Sequence, residues 1–128
     1  MDLICFVPTD KYFNHVTSKI RNGSSKDDHF EIHKTFDGFL ERIHLTKIIP
    51  TIIIFCAKNR RDFKKMLPYK ELLNNTENIL VLPDRKKETI DAALAFYPRF
   101  YIFTDQDFKL INVVVDKMRQ NFSSEKSF

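Results

Sequence analysis

The sequence predicts an α/β domain: a doubly wound parallel sheet of five strands in the order 2-1-3-4-5, with helices on both faces. Five short apolar segments alternate along the chain with five amphipathic segments of helix length, a pattern typical of parallel sheets. Most of the apolar segments are continuous, as expected of strands that are covered on both faces. Because crossovers between parallel strands are right-handed, few topologies remain, and this order is the simplest for 128 residues.

Each strand is predicted from its apolar run and from the residues that end it. The strongest run extends from Ile52 to Ala57 and stops at the polar pair Lys58 and Asn59. The segment HFEIHK alternates between polar and apolar residues, so it is expected to be less buried than the others. The predicted strands are 2–8, 29–34, 50–59, 78–83 and 99–103.

Each helix is predicted from the spacing of its apolar residues and from the residues at its ends. Thr35, Asp84 and Asp107 are the predicted caps of the second, fourth and fifth helical segments. Pro68 interrupts the third segment, where it either kinks the helix or begins a second short one. The predicted helical segments are 9–23, 35–49, 60–75, 84–98 and 107–122.

The apolar faces of the last two helices are predicted residue by residue, because their apolar positions recur at helical spacing. In the fourth helix, the residues expected to face the sheet are Ile90, Ala93, Leu94 and Tyr97. In the fifth, they are Phe108, Ile111, Val114, Val115 and Met118.

The composition is that of one globular domain, predicted to span residues 1–122, with a flexible tail at 123–128. The net charge of +4 is too small to indicate nucleic acid as a partner. With 2 glycines, the chain offers no Gly-rich loop to bind a phosphate. Cys5 and Cys56 are expected to be reduced core thiols. No signal peptide or membrane span is predicted, and the expected location is the cytoplasm.

The segment 78–118, which begins NILVLPDRKK, resembles the end of the receiver domain of two-component response regulators. It looks like the fourth strand, fourth helix, fifth strand and fifth helix of a receiver and needs no gap. Tyr101 falls where receivers carry the aromatic switch residue of the fifth strand. The resemblance extends over about residues 2–122 and implies the flavodoxin-like (βα)5 fold, in agreement with the pattern of strands and helices.

A working receiver carries a polar site at the carboxyl edge of its sheet, which is the side where the parallel strands end. An acidic pair after the first strand holds Mg²⁺, and an aspartate at the end of the third strand accepts a phosphoryl group. A hydroxyl after the fourth strand and a lysine after the fifth bind the phosphate. Aligned by resemblance, these positions hold Pro8 and Thr9, with Asp10 one place late, then Cys56, Leu82 and Thr104. A register slip of one residue would put Pro83 at the hydroxyl position in place of Leu82. The resemblance therefore implies an atypical receiver that lacks the phosphoacceptor aspartate, with no catalysis, metal or cofactor.

Other acids near the strand ends leave two alternatives open. Asp62 lies six residues past Cys56, and it is expected to sit within the following helix without reaching the edge. Asp10, Asp84 and Asp105 follow other strands and are either carboxylates of a cation site or caps and loop residues. Cys56 itself is either a redox or acceptor residue or an apolar core residue.

Two further polar patterns are the histidines of the second strand and two basic segments. His29 and His33 share one face of a strand about 13 Å apart, which is too far for a common zinc ion. The basic segments 58–66 and 84–87 both follow strand ends. Because both follow strand ends, they are expected to share one edge of the molecule. They are read as solvated surfaces, as a surface for an acidic partner or, for 58–66, as a nucleic-acid-binding surface.

Receivers usually signal through their fourth helix, fifth strand and fifth helix. The residues that the resemblance places on this predicted interaction face are Lys86, Lys87, Ile90, Asp91, Leu94, Tyr101, Lys109, Val113 and Asp116. The implied partner is a signalling protein, an output domain or a second copy of the chain. The alternative function is a flavodoxin-like enzyme or small-ligand binder that uses the carboxyl edge of the sheet.

Overall fold

The predicted sheet is confirmed by a computed structural model of the chain. It has five parallel strands in the order β2-β1-β3-β4-β5. The strands are β1 (Asp2–Phe6), β2 (His29–His33), β3 (Thr51–Cys56), β4 (Glu77–Leu82) and β5 (Phe100–Phe103). The structure describes residues 1–9, 13, 16–22, 28–45, 50–74 and 76–125.

Six α-helices are described. They are α1 (Val16–Asn22), α2 (Phe36–Ile43), α3 (Arg60–Met66), α4 (Lys70–Asn74), α5 (Lys87–Leu94) and α6 (Lys109–Glu125). A 3₁₀ turn over Leu67–Tyr69, which contains Pro68, separates α3 from α4. Of the two outcomes left open for Pro68, the second is therefore observed: a new short helix begins after the proline. Parts of the first two predicted helices, at 10–12, 14–15 and 46–49, lie outside the described residues.

The helices cover both faces of the sheet, so the central strands are buried on both sides. On the first face, α1 and α6 pack on side chains such as Cys5, Ile54 and Val81. On the second face, α2 to α5 pack on Phe6 and Phe55. In β3 every residue from Ile52 to Cys56 is buried, as the continuous apolar run predicts.

The second face is built largely from phenylalanine rings. Phe55 lies at its centre, with ring centroids 5.0 Å from Phe6, 5.7 Å from Phe39 and 6.0 Å from Phe63. Phe63 continues the row to Phe96 at 6.1 Å. Each ring buries a large apolar area, and ring pairs at these distances add to it. This layer accounts for much of the unusual phenylalanine content of the chain.

The predicted caps have different outcomes. Thr35 caps α2 as predicted, because its Oγ1 accepts a hydrogen bond from the Gly38 N–H (3.2 Å). Asp107 lies two residues before α6, and its carboxylate accepts from the N–H of Lys109, the first residue of that helix (2.9 Å). The prediction for Asp84 is wrong, since α5 begins at Lys87 with Lys86 as its N-terminal cap. The Asp84 side chain instead accepts from the Lys86 N–H (2.9 Å), which forms a turn before the helix.

The inner face predicted for α5 is also partly wrong. Thr89, Ala93 and Phe96 are the buried residues, whereas Leu94 is 45% exposed and Tyr97 is 76% exposed. These buried residues follow the helical spacing i, i+4, i+7. The predicted apolar face is therefore offset by about one residue from the face that packs on the sheet. Tyr97 lies beyond the helix at a φ of 49°, which takes its side chain out of the helical pattern.

The last helix follows its prediction more closely. Phe108, Ile111, Val115 and Met118 are buried, and Val114 packs against the same core. The helix continues to Glu125, three residues past the predicted end at 122. Residues 126–128 of the predicted tail lie outside the described part of the chain.

Candidate functional site

At the carboxyl edge of the sheet, three of the five positions aligned with the polar site of a receiver hold apolar residues, namely Pro8, Cys56 and Leu82. Cys56 and Leu82 end β3 and β4, and both side chains are fully buried. Pro8 is buried after β1, and Thr9 beyond it is exposed. Thr104 is half-buried after β5, where its N–H donates to the Leu82 carbonyl (3.0 Å). The structure thus brings the Leu82 and Thr104 positions together, but they share a backbone hydrogen bond and form no open polar site.

Cys56 does not present its thiol to solvent. It pairs with Val81 in the β3–β4 register, and the next residue, Ala57, donates its N–H to the Val81 carbonyl (3.0 Å). Burial raises the pKa of the Cys56 thiol well above its ordinary value. Burial likewise raises the pKa of Cys5, and the proximity of Cys56 adds to that shift. Both thiols are therefore protonated at neutral pH, and a protonated, enclosed thiol is a poor nucleophile.

The prediction that Asp62 cannot reach the carboxyl edge is wrong. Its Oδ2 accepts a hydrogen bond from the N–H of Lys58, two residues after the end of β3 (2.7 Å). Asp62 lies in the first turn of α3, where a carboxylate can bind N–H groups that precede the helix. It therefore fixes the β3–α3 loop and leaves Cys56 covered.

The other acids near this edge also have partners within the protein. The Thr89 hydroxyl and the Lys86 N–H lower the pKa of Asp84. Asp105 accepts a hydrogen bond from Arg85 Nη2 (2.7 Å). Asp10, the third acid of the cation-site alternative, lies outside the described residues. Within the described ranges, no three His, Cys, Asp or Glu side chains are arranged to hold a metal ion.

A partly buried ionic cluster lies on the second face of the sheet, and its most buried members, Asp2 and Arg42, lie near the amino edge where the strands begin. Arg42, near the end of α2, places Nη2 3.2 Å from Asp2 Oδ2 and Nε 2.6 Å from Glu31 Oε2. His29 Nε2 is 3.1 Å from Glu31 Oε2, and His33 Nε2 is 3.3 Å from Glu31 Oε1. The two histidines thus share a carboxylate that the sequence analysis did not assign to them.

The electrostatics of the cluster are dominated by Arg42. Partial burial by itself would raise the pKa of Glu31, but the hydrogen bond and charge of Arg42, together with His29 and His33, lower it below its usual value. Arg42 and Asp2 are both almost fully buried. One guanidinium therefore joins β1, β2 and α2 through two carboxylates.

Beside this cluster, a cavity of about 340 Å³ opens at the amino edge. Its charged wall contains Asp2, Arg42 and Glu77, and its apolar wall contains Ile4, Ile53 and Phe122. This is the opposite edge from the one at which doubly wound proteins usually bind ligands. No pattern in the sequence predicts this cavity, because the residues that line it are widely separated along the chain and many lie at the beginnings of strands.

The predicted interaction face lies on α5, β5 and α6, at the β5 end of the sheet. Eight of its nine residues are exposed, and the exception is Ile90, which is half-buried against the second core. Two exposed apolar residues nearby were missed, namely Tyr97 and Leu110. For Tyr97 the available signal was Pro98, which marks the end of the helix.

The exposed apolar side chains are unevenly distributed over the molecule. Seven large ones are exposed in the described part of the chain. Five of them, Leu94, Tyr97, Tyr101, Leu110 and Val113, lie on or directly beside α5, β5 and α6. A concentration of exposed apolar side chains on neighbouring elements is a mark of an interaction surface.

Comparisons with known proteins give this chain no relative. No protein-family model, no curated protein and no solved structure matches it. Among the described helices, none combines the length and the apolar character needed to cross a bilayer. The fold and the surfaces described above are therefore the basis for assigning a function.

Proposed function

We propose that this chain is an atypical, receiver-like signalling domain of the cytoplasm that acts by protein–protein interaction and needs no phosphorylation. The observation that carries the proposal is the concentration of exposed apolar side chains on α5, β5 and α6. The five-stranded order 2-1-3-4-5 supports it, because the resemblance to receivers implies the same order. Under this proposal the domain binds and positions a partner without catalysing a reaction.

The carboxyl edge supports the part of the proposal that excludes phosphorylation. The residue at the acceptor position, Cys56, is buried and protonated, and Leu82 closes the neighbouring strand end. A phosphoryl donor in water reaches neither side chain. The same burial speaks against the alternative of an enzyme or ligand binder that uses the Cys56 and Leu82 side chains.

Mass spectrometry tests the absence of phosphotransfer. The protein is incubated with acetyl phosphate and Mg²⁺, and the intact mass is measured. We expect no addition of about 80 Da, the mass of one phosphoryl group. A stoichiometric adduct on Cys56 or on any aspartate would contradict the proposal.

A matched pair of leucine variants tests the interaction face. Wild-type protein, Leu94→Asp and Leu67→Asp are used as baits in a lysate of the source cells, and the partner retained by the wild type is purified. Leu94 lies on the face, whereas Leu67 is equally exposed but lies in the turn after α3. We expect the affinity for the purified partner to fall at least tenfold in Leu94→Asp, as for an interface anchor, and to stay unchanged in Leu67→Asp. Equal losses would show that the face is not the docking site.

Sedimentation velocity determines whether the partner is a second copy. If it is, the wild type and Leu67→Asp form a dimer at high concentration and Leu94→Asp remains a monomer.

A further inference from the structure

The beginnings of α3 and α5 form a strongly basic surface. Residues 58–65 and 84–88 carry eight basic and three acidic side chains, a net charge of +5. The whole chain has a net charge of +4, so the rest of the molecule is slightly acidic. The modest total charge therefore conceals a marked asymmetry, with the positive charge on two segments. We call them the basic patch.

The two segments lie against each other in the fold. Arg60 at the start of α3 places Nη1 3.9 Å from Glu88 Oε2 in the first turn of α5. Beneath them, Phe63 of α3 and Phe96 beyond α5 pack with ring centroids 6.1 Å apart. The basic patch is therefore one continuous surface, although its halves are about twenty residues apart in sequence.

Most of the positive charge in the basic patch is uncompensated. Arg60 pairs with Glu88, and Arg85 pairs with Asp105 while its guanidinium lies 4.1 Å from the centre of the Phe103 ring. The other six cations are exposed, and none has an ion-pair partner among the described residues: Lys58, Arg61, Lys64, Lys65, Lys86 and Lys87. Uncompensated charge of one sign attracts a partner of the opposite sign and steers its approach.

The basic patch is continuous with the predicted interaction face. Lys87, Asp91 and Leu94 are exposed along one stripe of α5 at the spacing i, i+4, i+7. Tyr97 follows just beyond the helix. A partner that lies along α5 therefore meets positive charge at the start of the helix and apolar side chains at its end.

We propose that the partner contributes an acidic, amphipathic protein segment, with carboxylates over the basic patch and apolar side chains on Leu94 and Tyr97. This inference rests on the proposed function and names the chemistry of its partner. A protein fits this surface better than a nucleic acid does. The stripe contains Asp91 and two apolar side chains, which a continuous phosphate backbone would leave unmatched, whereas a protein can vary its residues along the stripe.

Fluorescence anisotropy with synthetic probes tests the proposal. The first probe is a labelled peptide of about 18 residues, with glutamates in its first half and leucine and phenylalanine in its second. The second probe replaces every glutamate by glutamine, and the third is a labelled DNA duplex. We expect the acidic peptide to bind the full chain at least tenfold more tightly than either of the others at the same salt concentration.

Two charge-reversal variants locate the binding. Lys86→Glu with Lys87→Glu should weaken binding of the acidic peptide about tenfold. Lys34→Glu with Lys70→Glu makes the same change in net charge at exposed lysines outside the basic patch, and it should have little effect. Equal weakening by both pairs would mean that only the overall charge matters, and the inference would fail.

The same probes separate this inference from the function on which it rests. If the glutamine peptide binds as tightly as the acidic one and both lose affinity in Leu94→Asp, the interaction face stands and the acidic partner is refuted. If the acidic peptide binds and Leu94→Asp has no effect, the apolar half of the proposed face is refuted. Tighter binding of duplex DNA, or no binding of either peptide, also refutes the acidic protein partner.

Discussion

The two edges of the sheet differ in what fills them. At the carboxyl edge, Cys56, Ala57 and Leu82 are fully buried apolar residues. At the amino edge, Asp2 and Arg42 form a buried ion pair beside a cavity. Doubly wound sheets usually place their polar chemistry at the carboxyl edge. In this chain that edge carries exposed charges, those of the basic patch that follows β3 and β4, whereas the buried ion pair and the cavity lie at the amino edge. A shared strand order thus does not determine which edge holds the buried charges.

The buried charges are tolerated because they share partners. Arg42 donates to Asp2 and Glu31 at once, and Glu31 also contacts two histidines. Burying a charge without such partners costs several kcal/mol. Among the residues that the structure describes, no comparable set of donors surrounds Cys56 at the carboxyl edge. The two edges should therefore respond in opposite ways to the addition and the removal of a charge.

The largest effect is expected from adding a carboxylate at the apolar edge. Cys56→Asp introduces a carboxylate at a fully buried position, where the acid cannot be hydrated. We expect it to lower the free energy of unfolding by about 3–5 kcal/mol, measured by urea denaturation. Cys56→Ala, which only removes the sulfur, should cost about 1 kcal/mol. A Cys56→Asp variant that is as stable as Cys56→Ala, or that Mg²⁺ stabilises, would show that this edge is open to water and ions.

A smaller but still large effect is expected from removing the cation at the other edge. Arg42→Met leaves Asp2 buried without its partner and should cost about 3 kcal/mol in urea denaturation. Adding Asp2→Asn to this variant should recover part of the loss, because the unpaired charge is then gone. Arg60→Met, which breaks the exposed pair with Glu88, should cost no more than about 0.5 kcal/mol. Similar costs for the two arginines would mean that burial of the Arg42 pair has no energetic consequence.

The pH dependence of stability reports on one carboxylate in the Arg42 cluster and one near the carboxyl edge. The folded-state pKa of Glu31 lies below its unfolded value, so its stabilising contribution is complete above about pH 5 and is lost as the pH falls below about 4. Urea denaturation from about pH 6 to about pH 3 should show a shallower decline for Glu31→Gln than for the wild type. Asp84, near the carboxyl edge, is the matched control, since its pKa is also lowered. The effects of Glu31→Gln and Asp84→Asn should add, because the two sites share no partners.

Much of the fold could be predicted because periodicity reports burial directly. The continuous run in β3 predicted a strand buried on both faces, and the spacing in α6 predicted its buried residues. The register of α5 was predicted less well. Its sequence offers apolar residues on both sides of the helix, and the turn made by Asp84 delays the helix start. Periodicity alone cannot tell which of two apolar stripes faces the sheet.

The sites were harder to predict than the fold. The burial of Cys56 at the end of β3 was predictable, since it follows from the position of this residue in a continuous apolar run. The contact of Arg42 with both Asp2 and Glu31 was not, because it joins residues up to 40 positions apart. The +5 patch was predictable in part. Both of its halves follow strand ends, which places them at one edge of the molecule, but the packing of α3 against α5 that joins them was not legible in the sequence. Charge patterns that depend on tertiary packing require the structure.

The smallest expected effect concerns α2, which reaches from the carboxyl edge to the amino edge. Its first end is capped by Thr35, whose exposed side chain accepts one hydrogen bond from the Gly38 N–H. Thr35→Ala should cost about 1 kcal/mol in urea denaturation, the usual value of a single cap, against about 3 kcal/mol for Arg42→Met at the other end. Thr35→Ser keeps the hydroxyl and should cost less than Thr35→Ala.

A substitution at Gly38 tests whether the Thr35 hydroxyl is held at the cap position. A Cβ at this position would lie 2.9 Å from Thr35 Oγ1, so in the wild type the helix-favouring Gly38→Ala change displaces the cap. In the Thr35→Ala background the obstacle is absent, and Gly38→Ala should then stabilise the protein by up to about 1 kcal/mol. If Gly38→Ala is equally stabilising in both backgrounds, the hydroxyl is not held against the helix. The larger stability cost of Arg42→Met than of Thr35→Ala would then reflect burial of the Arg42 cluster alone, with no contribution from the cap.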